Sequence, residues 1–355
     1  MASKRELVNL SQGQAFASRE MFDLLQEASR SLIEELDHLG KIKSVEAGDE
    51  LIREGTIDGS IYVLKDGALR VTTSNATGEQ QSLAELVPGC VVGEMSWLEN
   101  RPAVASVVAT RPGTVLALPY ETLNQLEASN AELGAEWQLV LAKKLALQIT
   151  SQNAWIHRFS AANKEIEPLR KVLVLFAGLE DQDVNTLSNL GSLKRIPPNG
   201  VLIQQGEAVD SLYLILAGDA EINVEINDIN RQVGSSRRGE LLGELTLLLE
   251  DDKGATASVH TATGMEVLEI NKMELLQHFG LHPQMARRFY RSLSCMISQR
   301  SRDQLLSRQL ATESQRAEKN DQDDEIDLLQ LSGINRAGQR FSSLCQKFQS
   351  SQDIP

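Results

Sequence analysis

Short apolar runs that end close to a glycine recur in two separate stretches of the chain. Residues 61–64 and 212–216 are rich in β-branched and aromatic side chains, which is typical of β-strands. Turn signals around Gly67 and Gly218 predict a hairpin after each of these runs. Many short strands at close spacing favour a small antiparallel β-roll or jelly roll, a fold that closes on itself.

Three apolar stripes at helical spacing flank the predicted rolls, one before the first roll, one after it and one after the second. Packing against the core explains all three, and part of the second or third stripe is also compatible with an interdomain or dimer contact. A helix start at Pro283 fits the preference of proline for the first helical turn. The stripes consist of Phe22, Leu25, Leu32, Leu36 and Leu39, then Trp137, Leu141, Leu145 and Ile149, and finally Met285, Phe289, Met296 and Ile297.

An internal repeat relates the two β-rich stretches. Gly55 and Gly206 stand 151 positions apart, and the pairs Gly93-Glu94 and Gly243-Glu244 stand 150 apart. The sequence Ala-Ser-Val follows each pair, at residues 105–107 and 257–259. Small differences in offset are those expected from changes in loop length, so the chain is predicted to hold two copies of one domain.

This repeat divides the chain into four predicted segments. They are an N-terminal extension over residues 1–18, a first domain with its linker helix over 19–155, a second domain with a C-terminal helix over 165–310, and an acidic tail over 311–355. Acidic and polar residues at 321–327 predict a flexible, solvated tail. A helix packed back on the body and a partner-docking motif at 326–331 are the alternatives.

Composition narrows the classes of function. The 355 residues carry a net charge of -14, which opposes non-specific attraction to DNA, RNA or anionic lipid. Three scattered cysteines, Cys90, Cys295 and Cys345, make a poor disulfide framework. The N-terminal residues do not form an apolar signal core, and no apolar run approaches the length of about 20 residues that spans a bilayer. We therefore expect a reduced, cytoplasmic setting.

The repeated sequence resembles the cyclic-nucleotide-binding domain family, which includes bacterial catabolite activators and the regulatory subunit of cyclic-AMP-dependent protein kinase. The resemblance is carried by Gly-x-x-Leu-Ile-x-x-Gly, then a tyrosine and a glycine, then Gly-Glu and Ala-Ser-Val, in that order and twice. It implies a mainly β fold with flanking helices, two β-roll domains in tandem. It also implies a bacterial-type regulatory protein with a ligand such as cAMP, no further cofactor, and a protein partner.

The resemblance further implies a phosphate-binding cassette in each copy, in which a short helix opens at Gly-Glu and a loop follows. A helix N-terminus offers backbone N–H groups to the cyclic phosphate, and Glu94 or Glu244 would accept a hydrogen bond from the ribose. In the family an arginine four residues before the valine holds the phosphate, but here those positions are Ala103 and Ala255. Losing such a charged partner costs about 2–5 kcal/mol, roughly 30-fold to a few thousandfold in affinity.

Arg101 and Lys253 each stand two residues before the alanine, so each is interpreted either as a substitute cation or as a surface charge of the loop. The candidate ligand-binding residues of the first copy are Gly93, Glu94, Met95, Arg101, Ala103 and Ser106. Those of the second copy are Gly243, Glu244, Leu245, Lys253, Ala255, Thr256 and Ser258.

The chain shows no helix-turn-helix pattern in the acidic sequence of about 50 residues that follows Leu306, so no DNA-binding domain is predicted. Motifs of nucleophilic, phosphate-loop or metal-dependent catalysis are missing as well. We therefore predict a non-enzymatic sensor that signals through a partner. A ligand-free scaffold of pseudo-domains is the alternative, and a cupin-like enzyme would require a cluster of metal ligands on barrel strands.

Overall fold

The computed structural model describes residues 24–25, 27–74, 80–159, 174–226, 229–249, 254–313 and 328–350. These residues form two compact units. The first unit contains the described residues of Met1–Ser129, Leu147–Ser160 and Ser298–Asn320. The second contains those of Asn130–Ala146, Ala161–Ile297 and Asp321–Pro355.

The first unit is built on a six-stranded antiparallel sheet. Its main path runs β1-β6-β3-β4, with β2 paired to β6 and β5 paired to β3. The long strands β3 and β6 run side by side, and both contribute buried apolar residues to the roll's interior. The elements are α1 (Arg30–Leu39), β1 (Lys41–Val45), β2 (Glu50–Ile52), β3 (Ser60–Ser74), β4 (Gln80–Leu86), β5 (Val91–Val92), α2 (Glu94–Glu99), β6 (Ser106–Pro119) and α3 (Tyr120–Ser129).

The second unit repeats this plan with a seven-stranded sheet of order β7-β13-β9-β12-β8, in which β10 and β11 also pair with β9. Its elements are α5 (Val174–Gly178), α6 (Asp181–Leu190), β7 (Gly191–Ile196), β8 (Gly200–Ile203), β9 (Ser211–Ile226), β10 (Ile229–Arg237), β11 (Leu241–Leu242), α7 (Glu244–Leu248), β12 (Ser258–Thr261), β13 (Met265–Asn271) and α8 (Lys272–Leu281). Two β-rolls in tandem with flanking helices confirm the predicted fold class.

Two long helices, α4 (Ala131–Phe159) and α9 (Pro283–Glu313), carry the second and third apolar stripes. All eight stripe residues are at most 4% exposed, so they are core residues, as the packing interpretation predicts. Helix α9 begins at Pro283 as expected. From Ser298 onward α9 belongs to the first unit, although the sequence placed residues 298–310 in the second domain.

The predicted hairpins at Gly67 and Gly218 are wrong. Strand β3 continues through Gly67 to Ser74, and β9 continues through Gly218 to Ile226. Both glycines have a left-handed φ, of 96° and 84°, and a β-carbon would come within 2.8 Å of Pro112 O or 2.4 Å of Gly264 O. Each glycine therefore allows an irregularity and a close backbone approach inside a strand, rather than a reversal of the chain.

The tail contains a helix, α10 (Leu328–Ser350), that packs on α5 and α6 within the second unit. Phe341 is buried against Phe176, with ring centroids 5.2 Å apart, and Arg340 donates a 2.6 Å hydrogen bond to Asp181. Of the alternatives for the tail, a helix packed back on the body describes this part, because its apolar side chains find a buried surface. The acidic cluster at 321–327 lies outside the described residues.

No helix among the described residues is both long and apolar enough to cross a membrane.

Candidate functional site: two cassettes at the rolls

A short helix opens at Gly-Glu in each roll, as the resemblance implies. Gly93 precedes α2 with φ 90°, and Gly243 precedes α7 with φ 81°. A β-carbon would lie 2.8 Å from Ser60 O in the first roll and 2.9 Å from Ser211 O in the second. Only glycine suits this combination of left-handed backbone and close approach, so the two glycines position both helix starts.

The cassette loop has the same backbone geometry in both rolls. In the first, Gly55 N donates to Ala103 O at 2.8 Å and Ala103 N donates to Thr56 O at 2.9 Å. In the second, Gly206 N and Ala255 O are joined at 2.8 Å, and Ala255 N donates to Glu207 O at 2.8 Å. The two loops therefore have matching backbone hydrogen bonds, and alanine occupies the equivalent position in both.

Ser106 and Ser258 lie at the C-terminal end of this loop, three residues after the alanine, and their hydroxyls form hydrogen bonds to a neighbouring turn. The Ser106 hydroxyl accepts a 2.9 Å hydrogen bond from Glu54 N and donates to Glu50 Oε1 at 3.0 Å. The Ser258 hydroxyl accepts from Gln205 N at 3.0 Å. These hydroxyls hold the loop to the neighbouring turn.

The Glu94 carboxylate begins α2 in a buried setting, only 2% exposed. Tyr120, the first residue of α3, donates its hydroxyl hydrogen bond to Gly93 O at 3.1 Å. Burial raises the pKa of Tyr120, and the negative charges of Glu94 and Asp58 raise it further. Glu94 therefore lies close to a neutral phenol.

A lysine takes the place of that tyrosine in the second roll. Lys272 N donates to Asp210 O at 2.9 Å, as Tyr120 N does to Gly59 O at 2.9 Å. The Lys272 ammonium donates to Thr246 Oγ1 at 2.6 Å and also to Val209 O. Burial lowers the pKa of Lys272 to about 8, while the charges of Asp210 and Glu244 oppose this shift.

Glu244, 5% exposed, therefore has a cation of its own chain nearby, whereas Glu94 has a phenol. Sequence reasoning missed this difference. The signal was available, because Tyr120 and Lys272 stand 152 positions apart, the offset of the Ala-Ser-Val pair.

The free energy of unfolding of the wild-type chain is expected to rise with pH between about 8 and 10.5, and replacing Lys272 with methionine is expected to remove this rise. The folded-state pKa of about 8 lies below the usual 10.5, so the unfolded chain binds more protons between these values and the free energy of unfolding rises across this window. Urea unfolding at several pH values would show the wild-type value climbing relative to that of Lys272→Met from pH 8 to 10.5. If the difference in free energy of unfolding between the wild type and Lys272→Met stays constant with pH, the Lys272 ammonium is not buried.

The remaining predicted site residues lie in varied surroundings. Met95 is half-buried, with its sulfur 3.9 Å from the side-chain nitrogen of Gln148. Leu245 is half-buried and Thr256 is exposed, whereas Lys253 lies outside the described residues. Arg101 is half-buried, and its backbone N donates to Ser96 O at 3.3 Å.

A buried ion pair that the sequence did not reveal lies beside the first cassette. Arg302 Nε donates to Glu99 Oε2 at 2.6 Å, and the Arg302 and Glu99 side chains are 5% and 0% exposed. Arg302 Nη1 donates to Pro102 O at 2.9 Å, and the Ser298 hydroxyl donates to Glu99. Burial raises the pKa of Glu99, and the charge of Arg302 opposes this shift.

Groups of three or more side chains able to hold a metal ion do not occur in the described part of the chain.

Comparisons with known proteins assign both rolls to one domain family. A family model described as the cyclic nucleotide-binding domain matches residues 42–130 and again 193–280. A cAMP-dependent protein kinase regulatory subunit from Yarrowia lipolytica is 23% identical over 250 residues, covering 70% of this chain and 56% of the relative. The cGMP-dependent protein kinase egl-4 from Caenorhabditis briggsae is 24% identical over 260 residues, 73% of this chain and 30% of the relative.

One similar solved structure is the regulatory domain of Toxoplasma gondii PKA with cAMP, at 18% identity and a TM-score of 0.28, covering 82% of this chain and 95% of that one. The chain spans about half of the Yarrowia lipolytica relative's length and less of the kinase's. These relatives are eukaryotic, so the expected bacterial origin is not supported.

Proposed function

Since the chain belongs to the cyclic nucleotide-binding domain family through both of its rolls, we propose that it is a non-enzymatic regulatory protein. It responds to a cyclic nucleotide such as cAMP and passes the response to a protein partner. The observation that supports this is the doubled cassette: two buried glutamates, Glu94 and Glu244, each at the start of a short helix behind a left-handed glycine.

The first roll is the ligand-binding roll in this proposal. The position that Lys272 occupies in the second roll is held in the first by Tyr120, a neutral phenol near Glu94, and in this proposal Glu94 accepts a hydrogen bond from the ribose hydroxyl. In the second roll, Lys272 ties α7 to the loop at Val209 and supplies a positive charge near Glu244. The second roll then acts as a structural domain.

A ligand-free scaffold remains the second candidate, because Ala103 and Ala255 both stand where the family has its phosphate-binding arginine. In that case both rolls would supply surfaces for the partner, and neither cassette would respond to a nucleotide.

A thermal-shift experiment separates the two candidates. Cyclic AMP or cyclic GMP at 100 times its Kd is expected to stabilise the folded chain by about 2.7 kcal/mol and to raise its melting temperature. Glu94→Gln, which removes the carboxylate charge with little change in size, is the matched control and is expected to lose most of the shift. If millimolar cyclic nucleotides leave the melting temperature of the wild-type chain unchanged, the scaffold is the correct description.

A further inference from the structure

An arginine from helix α9, Arg302, lies beside the loop of the first cassette. In that loop Ala103 stands where the family has its phosphate-binding arginine. Arg302, on α9, binds Glu99 through Nε and the Pro102 carbonyl through Nη1. Pro102 directly precedes Ala103, so the guanidinium lies against the loop that carries the phosphate-binding arginine in this family. All of these residues belong to the first unit.

The two N–H groups on one terminal nitrogen of this guanidinium are not used by the part of the chain that the structure describes. Arg302 Nη2 is buried without a hydrogen-bond partner there, in a residue that is 4% exposed. Buried donors in proteins nearly always find an acceptor, because leaving one unpaired is unfavourable. A phosphate oxygen would accept a hydrogen bond from this nitrogen and supply the missing partner.

Arg302 lies among charged groups of both signs. Burial lowers the pKa of Arg302 and the charge of Arg101 lowers it further, whereas the charges of Glu99 and Asp303 oppose this shift. Two guanidiniums and two carboxylates therefore meet here, so the cluster has no excess of positive charge. A cyclic phosphate would bind through the N–H groups of Nη2 that the described residues leave unused.

Helix α9 is held firmly at this place. Leu305, one helical turn after Arg302, is 9% exposed and joins the apolar core of the first roll, against which Ala103 and Val104 also pack. The Gln148 amide donates to the Ser301 hydroxyl at 3.0 Å. Because these contacts fix the helix, the planar fork of Arg302 is oriented before any ligand arrives.

We propose that Arg302 replaces the missing cassette arginine, so that its guanidinium binds the cyclic phosphate of a nucleotide whose ribose is bound at Glu94. This inference rests on the proposed function, because it assigns the anion-binding group of that same site. It makes the first anion site a composite of residues about 200 positions apart in sequence.

Calorimetric titration of the full chain with cAMP and with adenosine tests the assignment. Adenosine has the same base and sugar but no phosphate. Arg302→Gln is expected to weaken cAMP binding by about 30-fold or more, the effect of removing a charged partner. Adenosine binding is expected to change by less than about 2-fold, because adenosine has no phosphate for the guanidinium to bind. If Arg302 has only a structural role, the substitution should weaken the binding of cAMP and of adenosine by a similar factor.

Two further variants complete the design. Adding Ala103→Arg to Arg302→Gln is expected to restore cAMP binding, because the arginine returns to the loop itself. Arg288→Gln is the matched control, since Arg288, whose side chain is 12% exposed, pairs with Asp183 at 2.7 Å on the same helix but in the second unit. It is expected to leave the affinity for both ligands unchanged.

If Arg302→Gln does not fold, the variant Glu99→Gln with Arg302→Gln replaces the ion pair by two amides and tests the same loss. Unchanged or tighter cAMP binding in either variant would overturn the assignment and show that α9 only packs on, or blocks, the cassette. Failure of the wild-type chain to bind either ligand would instead overturn the proposed function itself.

Discussion

Replacing Glu99 with alanine is expected to lower the free energy of unfolding of the first unit by about 3–5 kcal/mol, because it leaves a buried arginine without its carboxylate. Arg302 and Glu99 have side chains that are 5% and 0% exposed, so water cannot replace the lost partner. The Ser298 hydroxyl would lose its acceptor as well. Urea unfolding of the wild type and of Glu99→Ala measures the difference directly.

An exposed ion pair of the same unit provides the control. Arg70 and Glu85 are 47% and 31% exposed, and Glu85→Ala is expected to cost only about 0–1 kcal/mol. A double-mutant cycle over Glu99 and Arg302 should give a coupling energy in the range of about 0.5–3 kcal/mol that is typical of residues in contact. A loss below about 1 kcal/mol for Glu99→Ala would mean that the pair is solvated and that α9 does not hold the cassette.

Features that repeat locally were predictable from the sequence. The offset between Gly93-Glu94 and Gly243-Glu244 indicated two copies, and the structure places both pairs at the start of a short helix. A left-handed φ is a local requirement that glycine meets without steric cost. The position of such a glycine can therefore be interpreted from a short motif. Ala103 and Ala255 repeat in the same way, and their interpretation as replacements of the family's arginine is what the resemblance implies.

Pairing at long range was not predictable. Glu99 and Arg302 are separated by 203 positions, and their contact depends on how α9 packs against the first roll. Arg302 lies in a polar stretch of that helix, and such a pattern does not distinguish a buried ion pair from a solvated surface. A substitute cation was therefore predicted only among near neighbours in sequence, Arg101 and Lys253.

Two errors of local interpretation have a different cause. Gly67 and Gly218 carry the same signal whether a strand turns back or continues through an irregularity, and only pairing with a neighbouring strand decides between them. The burial of Lys272 was not predictable from local sequence either, because it depends on the loop around Val209.

The difference between the two cassettes leads to the second large effect. Glu94→Gln is expected to weaken cAMP binding by about 30-fold or more, since a charged acceptor for the ribose would be lost. Glu244→Gln makes the same chemical change in the second roll, where the nearby Lys272 ammonium already offsets the carboxylate. It is expected to leave cAMP affinity within about 2-fold of the wild type, because it touches no ligand.

Isothermal titration of the full chain with cAMP is the most direct test of ligand binding in the first roll alone, because it counts sites and measures affinity together. One site per chain is expected, and it should be lost in Glu94→Gln and retained in Glu244→Gln. Two equivalent sites, or a single site that disappears with Glu244→Gln and survives Glu94→Gln, would contradict this expectation.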